Sequence, residues 1–178
     1  HYVAYPKENV IKMWSEITNR EGKPITLWRY NSGMLYLKAG RYFLTEYHSD
    51  WAKEGQPETE ELKYGKKTVD TKLGTRANLL AEPFFELGLD DKPREGEGRV
   101  MLGVVGWTGN FQYTCEVDNT NSLRLIPGIN PYASNYVLDN GETFTTPEFV
   151  FTLSSQGSGQ ASRDLHDWCR RYNLRDGM

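Results

Sequence analysis

Five carboxylates in this sequence stand close to strand-like or turn-like stretches: Glu46, Asp50, Glu54, Glu142 and Glu148. Two carboxylates that act as nucleophile and acid/base across one reacting carbon must stand about 5 Å apart. No spacing among these five dictates such a pair, so they are expected to be solvated or to hold local hydrogen bonds. His48 and His166 are far apart in sequence and lack the partner carboxylate that a metal site would need. Gly157-Ser158-Gly159 is too short for a phosphate-cradling loop. The aromatic residues are more suggestive. Trp51 sits in the polar stretch His48–Glu60, and Trp107 lies beside the tight turn Thr108-Gly109-Asn110. An aromatic face with amide or guanidinium donors close by is the minimum for stacking and hydrogen-bonding a sugar ring. Asn110, together with Arg76 and Asn78 in a long loop, would be the donors. The plainer readings are that Trp107 packs in a hairpin core and Trp51 anchors its loop, or that both are anchors at a domain interface.

The elements that would position these residues are β-strands. The chain has 178 residues, which suits one domain or a large fragment of one and is long enough for a real core. A net charge of −3 supplies no basic footprint for nucleic acid. No run of about 18 apolar residues suggests a membrane helix, and no secretory signal is visible. The chain opens on His1 rather than Met, so a leading segment is expected to be missing; cytoplasm, periplasm and secretion all stay open. No cofactor-binding pattern is found. Cys115 and Cys169 lack metal-like spacing and read as free thiols, one in a strand and one in a helix.

In chain order, strands are expected over 10–17, 25–30, 34–38 and 41–47, with turns between them. Residues 48–60 read as a loop, 61–72 as two short strands around Gly65, 73–83 as a long connection and 84–89 as a strand. The charged run 90–98 must be exposed. Residues 99–118 read as the clearest hairpin: a nearly continuous apolar, central strand with Gly103 and Gly106 open to close approach, a turn at 108–110, and an alternating strand from Phe111 to Val117. A further short strand falls at 123–126, residues 127–135 read as a loop, and 136–138 leads into the next turn. After the turn Asp139-Asn140-Gly141, the alternation of Phe149, Phe151 and Leu153 with Val150 and Thr152 predicts a strand buried mainly on one side. Residues 154–160 read as a small-residue linker. Leu165, Trp168, Cys169 and Tyr172 then repeat at helical spacing, which predicts a terminal helix over 161–173 with Asp164 in its first turn and Arg170 and Arg171 in its last.

Gly141, Glu142, Phe144, Thr146, Pro147 and Glu148, followed by a strand and then Leu165, His166, Asp167, Trp168, Arg170, Arg171 and Tyr172, form an ordered set. It resembles the end of the N-terminal β-supersandwich domain of family 36 α-galactosidases. Upstream, Gly40-Arg41-Tyr42 with Asp50-Trp51-Ala52-Lys53-Glu54 is similar to the family's strand followed by Gly-x-Trp-x-Arg-Glu, with Asp50 occupying part of that pattern and Lys53 where Arg is usual. Thr75-Arg76-Ala77-Asn78 through Pro83-Phe84-Phe85 and Gly106-Trp107-Thr108-Gly109-Asn110-Phe111 resemble two further family segments. The likeness runs from about Val10 to Tyr172.

The resemblance implies a mainly-β fold, an antiparallel β-supersandwich (a galactose-mutarotase-like sandwich) closed by one C-terminal helix. It implies that residues 1–178 are a single domain or a fragment, and that the helix leads to a (β/α)₈ catalytic barrel not contained here. Family 36 enzymes hydrolyse terminal α-galactosides with retention, through two aspartates on that barrel, which alone takes about 250 residues. The nucleophile's Lys-Trp-Asp-type motif is missing, since no Trp here is followed by Asp. No catalytic residue is therefore assigned. The implied role is accessory: packing on the barrel, shaping the active-site rim with Trp51, Arg76, Asn78, Trp107 and Asn110 as candidates, or joining an oligomer. The competing reading is a free-standing carbohydrate-binding β-sandwich, with an autonomous enzyme a distant third.

Overall fold

A computed structural model describes residues 1–76 and 79–175. Fifteen strands are formed among the described residues. Seven make one antiparallel sheet in the order β1 (Tyr2–Tyr5), β2 (Val10–Met13), β15 (Glu148–Ser154), β10 (Arg99–Gly106), β9 (Phe84–Leu89), β6 (Tyr42–His48) and β7 (Gln56–Leu62). Four make a second antiparallel sheet in the order β5 (Leu35–Lys38), β12 (Ser122–Ile129), β11 (Phe111–Val117) and β8 (Gly65–Asp70). Two small ribbons, β4 (Ile25–Leu27) with β13 (Tyr136–Leu138) and β3 (Glu16–Thr18) with β14 (Thr143–Thr145), complete the set. The inner faces of the two large sheets close one core. Met13, Tyr42, Leu44, Phe85, Leu87, Met101 and Phe149 enter it from the larger sheet, and Phe111, Tyr113, Cys115, Leu123 and Leu125 from the smaller.

The stretch 99–118 is not a hairpin. β10 pairs with β9 and β15, whereas β11 pairs with β8 and β12. The turn at 107–110 therefore carries the chain from one sheet to the other. The tight hairpin lies one connection later, between β11 and β12, where Asp118 Oδ1 accepts from the backbone N–H of Thr120 and Ser122 at 2.8 and 2.9 Å. A pattern of alternation cannot tell an arch between sheets from a hairpin within one. β10 does run through the middle of its sheet, as its apolar sequence suggested. A Cβ at Gly103 would lie 2.7 Å from Phe85 and 2.8 Å from Phe149, so the missing side chain makes room for two core rings.

Other expectations are corrected. The strand over 10–17 is two strands, because β2 stops pairing at Met13 opposite Phe149, just where Pro147 on the partner side lacks an N–H for the ladder. Ser15 N–H turns instead to Thr146 Oγ1 at 2.9 Å. The strand over 25–30 shortens to β4. The second half of the loop over 48–60 belongs to β7, an acidic edge strand, where Pro57 is tolerated because one side needs no ladder. Residues 61–72 accordingly hold the end of β7 and β8. Among the described residues of the connection 73–83, Gly74–Arg76 forms a 3₁₀ turn.

β15 is buried on both sides, not one. Phe149 and Phe151 face the sandwich core, while Val150 packs with Val10 and Trp168 beneath the terminal helix. That helix, α1, spans Gly157–Trp168 and continues as a wider π turn over Cys169–Asn173. It starts four residues before the expected boundary, and the linker-like Gly-Ser-Gly is its first turn. Gly157 has φ +77, and a Cβ there would meet Arg94 O at 2.4 Å. With no side-chain cap, the free N–H groups of Gly157, Ser158 and Gly159 donate to the carbonyls of Gly98, Arg94 and Glu95 at 3.0, 2.8 and 2.9 Å. Asp164 is thus mid-helix, where it accepts from Asn9 Nδ2 at 2.9 Å and Gln160 Nε2 at 2.6 Å. The aromatic stripe is buried at Trp168, half-buried at Leu165 and Cys169, and 50% exposed at Tyr172, which rests on Tyr5 at 4.6 Å.

Candidate functional site

The antiparallel order places residues 49–55, 71–76, 79–83, 107–110 and 130–135 at one end of the sandwich, because each stretch follows or precedes strands that run to that end. Polar groups join them. Asn110 Oδ1 accepts from Gly74 N–H at 2.7 Å, and Asn110 O accepts from Asn130 N–H at 2.9 Å. Asn130 Nδ2 donates to Thr71 O at 2.9 Å. Pro83 O accepts from Val105 N–H at 2.8 Å. On the other flank Ser49 O accepts from Leu80 N–H at 2.6 Å, and Ser49 Oγ donates to Glu82 Oε1 while accepting from Gly55 N–H at 3.2 Å. This end of the molecule is a set of short loops braced against each other.

Three of the sugar-platform candidates stand on this surface. Trp51 is at the apex of a turn closed by Lys53 N–H on Asp50 O at 3.0 Å, with Trp51 N–H on Asp50 Oδ1 at 2.7 Å. Its ring is 85% exposed and anchors nothing in its own loop. Trp107 is 41% exposed and lies over Gly109, where a Cβ would come within 2.7 Å of the indole Nε1. It belongs to the connection between sheets, not to a hairpin core. Arg76 is exposed on the 3₁₀ turn. Asn110 is half-buried and its carbonyl is committed to Gly74, so it serves as a brace between loops. Asn78 lies outside the described residues. Sequence reasoning missed Ser49, Glu82 and Asn130, which hold the loops together. Small polar residues in irregular segments carry no periodic signal, so nothing in their spacing announced them.

The acidic candidates make local bonds. Glu46 is buried and bound by Lys67 Nζ at 2.7 Å; Lys67 also reaches Glu60 at 2.5 Å. Burial works against the Lys67 charge, but the hydrogen bonds from Glu46 and Glu60 outweigh it and hold its pKa above the usual lysine value. Glu148 pairs with Lys12 at 2.6 Å, and Glu142 accepts from Asp139 N–H at 2.8 Å. Asp50 is spent on its turn, and Glu54 is exposed. His48 lies between Leu80 O at 3.2 Å and Glu58 at 3.0 Å, and His166 is exposed on α1. Cys115 and Cys169 are free, and burial pushes the Cys115 thiol up to about 12, which leaves it unreactive. Among the described residues no group of three or more His, Cys, Asp or Glu is placed to hold a metal.

The chain is similar to α-galactosidases from fungi and bacteria. It is 29% identical over 174 residues to "Alpha-galactosidase 2" of Hypocrea jecorina, covering 98% of this chain and 23% of that protein. It is 30% identical over 169 residues to "Alpha-galactosidase AgaA" of Geobacillus stearothermophilus, covering 95% of this chain and 23% of that protein. The crystal structure of AgaA superposes with a TM-score of 0.91 over 98% of this chain and 24% of that one, at 29% identity. The α-galactosidase of Lactobacillus brevis superposes at 0.89 over 96% of this chain and 23% of that one, at 26% identity. The chain therefore spans about 23% of the length of the curated relatives it matches. The profile of the "Glycosyl hydrolase family 36 N-terminal domain" matches residues 1–139. With that match across most of its length and a supersandwich shared with these enzymes, the chain belongs to the N-terminal domain family of glycosyl hydrolase family 36.

Proposed function

We propose that this chain is the non-catalytic N-terminal domain of an α-galactosidase and that its braced loop end shapes the rim of an active site carried by a downstream catalytic barrel. The observation that carries this reading is Trp51: a large aromatic ring, 85% exposed, on a turn fixed by three hydrogen-bonded neighbours. An exposed indole carried on a hydrogen-bonded turn is the type of aromatic anchor that ligand and partner surfaces use. Trp107 and Arg76 stand on loops at the same end. Terminal α-galactosides are the substrate class, supported by relatives that are named α-galactosidases and by crystal structures of AgaA variants in complex with raffinose and stachyose.

The test is kinetic. In the chain extended through its catalytic domain, Trp51→Ala should lower kcat/KM on raffinose by about tenfold or more with the melting temperature unchanged. Unchanged kcat/KM would remove Trp51 from the rim. A free-standing sugar-binding module remains the second reading, favoured by the way Trp168 and Leu165 pack within this chain.

A further inference from the structure

A cleft of about 530 Å³ lies on the outer face of the four-stranded sheet, bordered at one end by Lys72 and Tyr132, and neither Trp51 nor Trp107 lines it. Its floor is a regular cross-strand array. Gln112, Thr114 and Glu116 alternate along β11 with the core residues Phe111, Tyr113 and Cys115. In register, Thr114 stands between Thr68 of β8 and Ile126 of β12, and the Thr68 and Thr114 hydroxyls are 2.9 Å apart. The walls are aromatic. Trp28, 68% exposed, comes from the segment after β4; Tyr132, 56% exposed, comes from the loop after β12. Ser32 N–H donates to Pro127 O at 2.9 Å, and Tyr132 N–H donates to Asn130 Oδ1 at 3.0 Å.

The charge of the cleft runs against that of the chain. Arg29, Lys66 and Lys72 line it with Glu116, three cations against one carboxylate, whereas the chain as a whole carries −3. Glu116 is taken by Arg124, and Lys72 is held by Asp70 at 3.0 Å beneath the Tyr132 ring. Arg29 and Lys66 make no ion pair with any described residue. Hydroxyl and amide groups on the floor, two exposed aromatic faces and two unspent cations match the surface of one ligand class: a sugar ring presents apolar C–H faces to aromatics and hydroxyls to side-chain donors, and a carboxylate on that ring would meet the cations.

We propose that this cleft binds a short oligosaccharide bearing a carboxylate, a uronate-type sugar, on a platform that uses neither Trp51 nor Trp107. Its function is attachment, holding the protein near a polymeric acidic glycan. The site does not depend on the accessory reading of the loop end, and it can be tested on the 178-residue chain, where no catalytic sugar site intervenes. The measurement is calorimetric titration with trigalacturonic acid, raffinose and triglutamate. Saturable binding of trigalacturonate is expected, at least tenfold weaker after Trp28→Ala, at least fivefold weaker after Lys66→Glu, and several-fold tighter than binding of raffinose. Trp28 and Lys66 are exposed, so both variants should keep the parent melting temperature. Equal binding of triglutamate would reduce the site to a charge patch and overturn the proposal. Tighter binding of raffinose would overturn its acidic specificity, and no saturable binding, or binding untouched by Trp28→Ala, would overturn the site itself.

Discussion

Gly103 and Asp90 show how far single residues set the tolerance of this sandwich. Gly103 sits between two core rings that would overlap any side chain. Gly103→Val should therefore cost about 1–3 kcal/mol in denaturant unfolding, the usual price of overpacking, and a neutral result would mean that Phe85 and Phe149 can move aside. Asp90 accepts from Gly40 N–H at 2.7 Å and pairs with Arg99. The Arg99 hydrogen bond, and then that from Gly40, hold its carboxyl below the usual range. A depressed folded-state pKa gives stability that is full above the unfolded value, about 3.9, and is lost as pH falls through the folded value. Asp90→Asn should thus lower the melting temperature at pH 7 and show a smaller further loss than the parent on titration from pH 5 to pH 2. Parallel melting curves for the two proteins would contradict this. At this scale the sequence was a good guide to Gly103, because an isolated glycine in an apolar run signals close approach. It was a poor guide to Asp90, which is tied to Gly40 fifty residues upstream and to Arg99 nine residues downstream by contacts that follow no periodic pattern.

Element by element, the strands were legible and their partners were not. Alternation located β11 and β15 well, since it follows from the pleat alone. It could not assign β10 and β11 to different sheets, because strand pairing is a long-range property. The terminal helix was read from Leu165, Trp168 and Cys169, but its first turn was hidden. Gly157 and Gly159 look like a linker in sequence, and only the folded loop 94–98 supplies the carbonyls that cap them. Two predictions belong here. Gly157→Ala places a Cβ on a left-handed backbone and 2.4 Å from Arg94 O, and should lower the melting temperature by several degrees. Trp168 fills the space between Val10, Val150 and Tyr5, while its indole Nε1 is buried with no partner among the described residues. Trp168→Ala should cost about 3 kcal/mol, whereas Trp168→Phe removes the unpaired N–H and should cost much less. Equal losses in the two variants would show that the indole N–H has a partner in solution.

For the molecule as a whole, two surfaces differ in character. One end of the sandwich carries braced loops with exposed Trp51 and Trp107, and the outer face of the small sheet carries a positively lined cleft. In sequence, Trp51, Arg76, Asn78, Trp107 and Asn110 stood out as aromatic faces and donors suited to a rim or a sugar platform. The cleft was not legible, because Trp28, Lys66, Gln112 and Tyr132 are scattered over more than a hundred positions and only the register of β8, β11 and β12 gathers them. The central claim is that this domain serves an active site it does not contain. The direct measurement is hydrolysis of an aryl α-galactoside by the 178-residue chain and by the same chain continued through its downstream sequence. The account predicts turnover in the longer protein and none in the shorter. Turnover by the 178 residues alone would contradict it, and would return attention to Glu46, Asp50, Glu54, Glu142 and Glu148.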